Sequence, residues 1–108
     1  MHTKEVMLLR IFITEDDQAG HEPLYQAILE QARKLHLAGA TLLRGPMGFG
    51  RSGRLHNTKI LRLSEKLPVV IEILDCEEKI SSFLPVLETL IESGIVTLEK
   101  VKVVRFEK

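Results

Sequence analysis

ATLLRGPMGFGRSGRL, residues 40 to 55, satisfies two nucleotide-loop patterns at once. Gly45 to Ser52 reads G-x-x-x-x-G-R-S, one residue from a Walker A loop, and Gly48, Gly50 and Gly53 give G-x-G-x-x-G. Both patterns require a helix directly after the glycines, because the helix N-terminus and its free N–H groups hold the phosphate. Here Arg54 to Leu63 carries no helical stripe, Arg51 replaces the Walker lysine, and Lys59 to Leu63 alternates weakly as a strand would. The stretch is therefore a strand, Ala40 to Arg44, running into a long loop that returns to another strand. Asp75 and Glu72, which mimic the acidic residues of the two motifs, lose that role along with the missing helix.

The rest of the chain supplies the partners of this strand. In Glu5 to Glu15, Met7, Leu9, Ile11 and Ile13 fall on one face at period two, with Val6, Leu8, Arg10, Phe12 and Thr14 on the other. Asp16 to Gly20 is a polar turn. From Pro23, Leu24, Ala27, Ile28, Ala32 and Leu35 recur at three- and four-residue steps, predicting a helix of about four turns with Gly39 in the left-handed position after it. Val69 to Leu74 is the strongest strand. Glu77 to Ser93 is a second helix with a stripe of Ile80, Phe83, Leu84, Leu87, Leu90 and Ile91. Pro85 inside it predicts a kink or a late start. Ile95 to Phe106 closes the chain as a long strand, with Val101 and Val103 on one face and Val96, Leu98, Val104 and Phe106 on the other.

The order β-α-β, loop, β-α-β predicts an α+β chain, a ferredoxin-like split βαβ sandwich: an antiparallel four-stranded sheet with two helices on one face. Two helices cover only one face of such a sheet. The other carries Val6, Leu8, Phe12, Val70 and Leu74 alongside Arg10 and Glu72, and an exposed apolar face of that kind predicts association between copies.

Composition narrows the function. A chain of 108 residues, 44% hydrophobic, is the size of a single domain. Fifteen basic and fifteen acidic residues balance to zero net charge, which argues against general binding to nucleic acid. Cys76 is the only cysteine, so no internal disulfide or cysteine zinc cluster forms. The N-terminal apolar run is broken at Arg10 and no stretch reaches a membrane span, so the expectation is a cytoplasmic protein without membrane insertion. His2, His21, His36 and His56 lack metal-ligand spacing. The adjacent acids Asp16-Asp17 and Glu77-Glu78 do not face one another, and Ser52 and Ser64 have no orienting base. No catalytic residue, metal or required cofactor is expected, and the chain is not read as an enzyme.

Positive charge nevertheless gathers around the glycine loop in Arg44, Arg51, Arg54, His56 and Lys59. Guanidinium groups beside free backbone N–H groups make an anion-binding nest.

A strand ending in a loop that reads Met47-Gly48-Phe49-Gly50-Arg51-Ser52, inside a split βαβ pair, resembles the PII signal-transduction family. It is more closely similar to the PII-like domain of unknown function 190 family. The likeness runs through Pro23-Leu24-Tyr25, Gly39-Ala40-Thr41, Arg44-Gly45, Gly48-Phe49-Gly50, His56, Leu67-Pro68-Val69-Val70 and Asp75. It implies one PII-like domain spanning residues 1–108 with a long loop at about 45–58. It also implies a homotrimer with inward-facing sheets and clefts between subunits that take a small anionic ligand, an adenine nucleotide. The loop would signal to a regulated partner protein. Gly48, Phe49, Gly50 and Arg51 are the ligand-binding residues that the resemblance implies, and the charged glycine loop adds Arg44, Gly45 and His56 as ligand-binding candidates. Ser52 stands where PII proteins carry the glutamine of their 2-oxoglutarate site, so that effector is not implied. Only Glu92-Ser93-Gly94 occupies the place of their phosphate-binding basic loop. The alternative is a ligand-independent interaction protein docking on a partner such as a membrane transporter.

Overall fold

In a computed structural model, residues 1–49, 56–57 and 67–107 are described, with the side chains of 56 and 57 outside that description. Strand β1 spans His2–Thr14, and a short hairpin of β2 (Gln18–Ala19) and β3 (Glu22–Pro23) follows it. Helix α1 is Leu24–Lys34, β4 is Gly39–Arg44, and a small ribbon pairs β5 (Met47–Gly48) with β6 (His56–Asn57). The chain continues through β7 (Pro68–Asp75), α2 (Glu77–Leu90) and β8 (Ile95–Arg105). The main sheet has the order β4-β7-β1-β8, every neighbour antiparallel. This is the expected ferredoxin-like arrangement. The stretch Lys59 to Leu63 lies outside the described residues.

The period-two pattern of β1 becomes the core. Leu9, Ile11, Val69, Ile71 and Ile73 point to the helix side, where they meet Leu24, Ile28 and Ala32 of α1 and Ile80, Phe83 and Leu87 of α2. Leu24, Ile28 and Ala32 recur every four residues, so one stripe of α1 faces the sheet along its length. Each large apolar side chain among them contributes about 1.5–3 kcal/mol by leaving water.

Three local expectations change. Helix α1 has 11 residues, about three turns rather than four, with Pro23 as its N-cap. It ends earlier because His36, not Gly39, takes the left-handed conformation, at φ 58°. Leu37 N–H donates to the Ala32 carbonyl at 3.0 Å and His36 N–H to that of Arg33 at 3.1 Å, the paired bonds of a Schellman end. Gly39 is then free to begin β4. Helix α2 starts at Glu77 and runs through Pro85, so the proline does not delay it. Glu77 and Glu78 in its first turn offset the positive helix end.

The uncovered face is ordered in rows across the strands. Leu43, Val70, Phe12 and Ile95 share one register and form an apolar row; Phe12, Leu43 and Ile95 are 41%, 48% and 66% exposed. The next row is Thr41, Glu72, Arg10 and Thr97, and the third is Gly39, Leu74, Leu8 and Glu99. A charged row thus crosses a mostly apolar surface.

Candidate functional site

The glycine loop leaves the sheet at its edge, because among the described residues β4 pairs with β7 alone. Gly45 N–H donates to the Pro68 carbonyl at 2.8 Å, closing the neck of the segment between β4 and β7. Both glycines of the neck are small for a reason visible in the packing. A Cβ on Gly45 would lie 2.9 Å from Pro68 Cγ, and one on Gly48 would lie 3.1 Å from it. The β5–β6 ribbon sets Gly48 opposite His56 and Met47 opposite Asn57. Phe49 is 73% exposed. The structure therefore brings Arg44, Gly45, Gly48 and His56 to one neck, while Gly50 and Arg51 lie outside the described residues.

At that neck the Arg44 side chain turns to the helix side of the sheet. Alternation along β4 puts Thr41 and Leu43 on the uncovered face and Arg44 on the helix side. There its Nε donates to Glu15 Oε1 at 2.6 Å, and its guanidinium carbon stands 5.8 Å from the centre of the Tyr25 ring. The hydrogen bond to Glu15, reinforced by its charge, raises the Arg44 pKa.

A groove of about 570 Å³ lies on the uncovered face, toward the other end of β4. Its apolar floor includes Val6, Leu8, Leu74 and Val103, and its polar lining includes His2, Lys4, Thr41, Glu72, Asp75 and Arg105. Lys4 comes from the start of β1 and Arg105 from the end of β8, which the antiparallel register joins by pairing His2 with Arg105. Asp75 closes one end of this groove. Its Oδ2 accepts from Ala38 N–H at 2.9 Å and its Oδ1 from Cys76 N–H at 2.7 Å. Burial pushes the Asp75 carboxyl up, but these two bonds and the nearby Lys79 outweigh burial and hold its pKa below 3.8. Asp75 therefore ties α1, β4, β7 and α2 together at one corner.

Sequence reasoning missed His2, Lys4, Thr41 and Arg105. The alternation of β1 marks His2 and Lys4 as sharing a face with Val6 and Leu8, a signal that was available. Their meeting with Arg105 needed the strand register. A second hollow of about 330 Å³ on the helix side is lined by Glu22, Glu30 and Glu92 with Gln18, Gln31 and Thr89. Among the described residues no group of three or more His, Cys, Asp or Glu is placed to hold a metal ion.

Comparison with known proteins agrees with the fold. The family model DUF190, described as an uncharacterized ACR, matches residues 6–103. A UPF0166 protein of Aquifex aeolicus (strain VF5) is 39% identical over 104 residues, covering 96% of this chain and 98% of that protein. Among solved structures, a putative PII-like signaling protein from Thermus thermophilus superposes with a TM-score of 0.69 at 20% identity, covering 96% of this chain and 94% of that one. CPII from Thiomonas intermedia K12, a nitrogen regulatory PII-like protein bound to ADP, AMP and bicarbonate, superposes with a TM-score of 0.64 at 18% identity. That match covers 96% of this chain and 92% of CPII. At such identities the structural likeness establishes a PII-like fold.

Proposed function

The chain belongs to the DUF190 family, and from that membership we propose that it is a PII-like regulatory protein that binds an adenine nucleotide and signals through residues 45–58. It works as one domain, in a cytoplasmic homotrimer whose uncovered sheet faces meet. The ligand lies in clefts between subunits, each formed by the groove of one copy and the loop neck of a neighbour.

The observation that carries this reading is the groove itself, an apolar floor on an uncovered sheet face whose lining sets His2, Lys4 and Arg105 beside Glu72, Asp75 and Glu107, with Arg105 Nη1 3.6 Å from Glu107 Oε1. A nucleotide has chemistry for each part: a flat base for the floor, phosphates for Lys4 and Arg105, and ribose hydroxyls to donate to the carboxylates. Arg51, with the backbone N–H groups at Gly48 and Gly50, adds anion-binding groups from the loop. Phe49, exposed at its start, offers a stacking surface. The ADP and AMP held by CPII on the same fold support the choice of ligand. The role is binding rather than catalysis, and folding requires no cofactor.

The test is calorimetry and thermal shift on the purified protein with ATP, ADP and AMP, beside Arg51→Ala, Lys4→Ala and Arg105→Ala. At least one nucleotide raises the melting temperature of the parent protein, and the variants weaken it. Absence of any nucleotide effect on the parent protein would sink the reading.

A second reading is supported by Met47 and Phe49, both exposed apolar residues at the loop neck. They suit docking on a partner such as a membrane transporter without a small ligand. In that case co-purification with the partner survives removal of nucleotide and is lost on Phe49→Ser. No helix of the described residues is long and apolar enough to cross a membrane, and the proposed association is through the partner.

A further inference from the structure

We propose that Glu15 and Arg44 form a clamp on the neck of the 45–67 segment, with Arg44 a positioning residue rather than a ligand contact. One residue holds both ends of that neck. Glu15 N–H donates to the Leu67 carbonyl at 2.8 Å, and its Oε1 accepts from Arg44 Nε at 2.6 Å. The bond from Gly45 N–H to the Pro68 carbonyl lies directly beside them. Thr14 continues the attachment, since its N–H donates to Asp17 Oδ2 at 2.8 Å and so fixes the turn that carries Glu15.

The two partners are unequal. The Glu15 side chain is 13% exposed and that of Arg44 49%. Glu15 Oε2 is wholly buried with no hydrogen-bond partner among the described residues. A carboxylate in that position depends on its guanidinium, because a buried charge without a counterion costs far more than a broken surface pair. The half-exposed guanidinium can instead be solvated when its partner is removed. The strand alternation that turns Arg44 toward Glu15 also turns it away from the groove, where Thr41 sits.

The assignment of Arg44 rests on the nucleotide reading above, whereas the clamp does not. The experiment uses the full chain as the parent protein, Glu15→Gln, Arg44→Gln and the double variant. Amide hydrogen exchange at Gly45 is measured without ligand, and affinity for ADP by calorimetry. Arg44→Gln speeds exchange at Gly45 by about tenfold, Glu15→Gln speeds it less, and the double variant resembles Glu15→Gln because the stranded charge is gone. Exchange at Ile71 in the core stays slow in all of them, which shows that the fold is intact. ADP affinity changes in parallel in the two single variants. Unchanged exchange at Gly45 in Arg44→Gln overturns the clamp. Loss of ADP affinity in Arg44→Gln alone, with Glu15→Gln unaffected, overturns the positioning role. If ADP does not bind the parent protein, the nucleotide reading fails and the positioning role falls with it, while the exchange measurement still decides the clamp.

Discussion

Arg10 Nε donates to Glu72 Oε2 at 2.9 Å in the middle of the uncovered sheet face, and its Nη1 reaches Glu99 Oε1 at 3.3 Å. One guanidinium thus bridges three strands, β7, β1 and β8, between an apolar row and the floor of the groove. The hydrogen bond to Glu72, with the two negative charges, raises the Arg10 pKa. An exposed network of this kind adds little to the stability of a single copy. Its larger effect is on what the face meets, because like charges across an interface oppose association. Arg10→Glu places three carboxylates together and is expected to break the proposed homotrimer into monomers, read by sedimentation, while circular dichroism stays native. Unchanged sedimentation would count against association through this face.

Gly45 faces Pro68 so closely that an added methyl group meets the ring 2.9 Å away. Gly45→Ala is expected to lower unfolding free energy by about 1–3 kcal/mol, the cost of forcing a methyl group into filled space. Pro68→Ala in the same chain should recover part of that loss by removing Cγ. Urea unfolding of the two single variants and the double decides it; a purely additive double would show that the ring is not what Gly45 accommodates.

His36 carries the left-handed turn at the end of α1 with φ 58°, a conformation that costs a residue with a Cβ about 1–2 kcal/mol. Among the described residues the surrounding bonds use only its backbone: Lys79 Nζ donates to the His36 carbonyl at 3.1 Å. His36→Gly should therefore stabilise the fold by about 0.5–1 kcal/mol, after the greater entropy of an unfolded glycine is subtracted. Chemical denaturation measures this directly, and a destabilised variant would mean that the imidazole makes a contribution of its own.

Asp75 has a folded-state pKa below its ordinary value of 3.8. A depressed carboxylate adds stability that is fully present above the unfolded value and is lost as pH falls through the folded one. Unfolding free energy followed down the acid limb should fall below about pH 4 and fall less steeply in Asp75→Asn. The variant is also weaker at neutral pH, because an amide has one acceptor oxygen for two backbone donors. Parallel acid limbs in the two proteins would remove Asp75 from the acid response.

Much of this was legible because period-two and helical patterns report burial directly. Met7, Leu9, Ile11 and Ile13 announced one face of β1, and Val6, Leu8 and Phe12 announced a second apolar face without a helix to cover it. The end of α1 was less legible. A glycine is the ordinary marker of a helix end, whereas the left-handed residue is a histidine, held there by Leu37 N–H reaching back to Ala32. The roles of Gly45 and Gly48 were also hidden, since nothing near them in the chain announces the distant Pro68 as the group they pack against.

By itself, then, the amino-acid order determined the class of fold, the two helices, and the covered and uncovered faces. These are local properties, written at spacings of two to four residues. Tertiary structure decided what meets across the strands: His2 beside Arg105, Arg10 between Glu72 and Glu99, and Glu15 holding Arg44 at one end of the neck and Leu67 at the other. Strand register makes those contacts. A shift by one residue would turn every side chain of a strand to the opposite face, and no local pattern specifies which of two well-formed strands will bring its cations to the other's end.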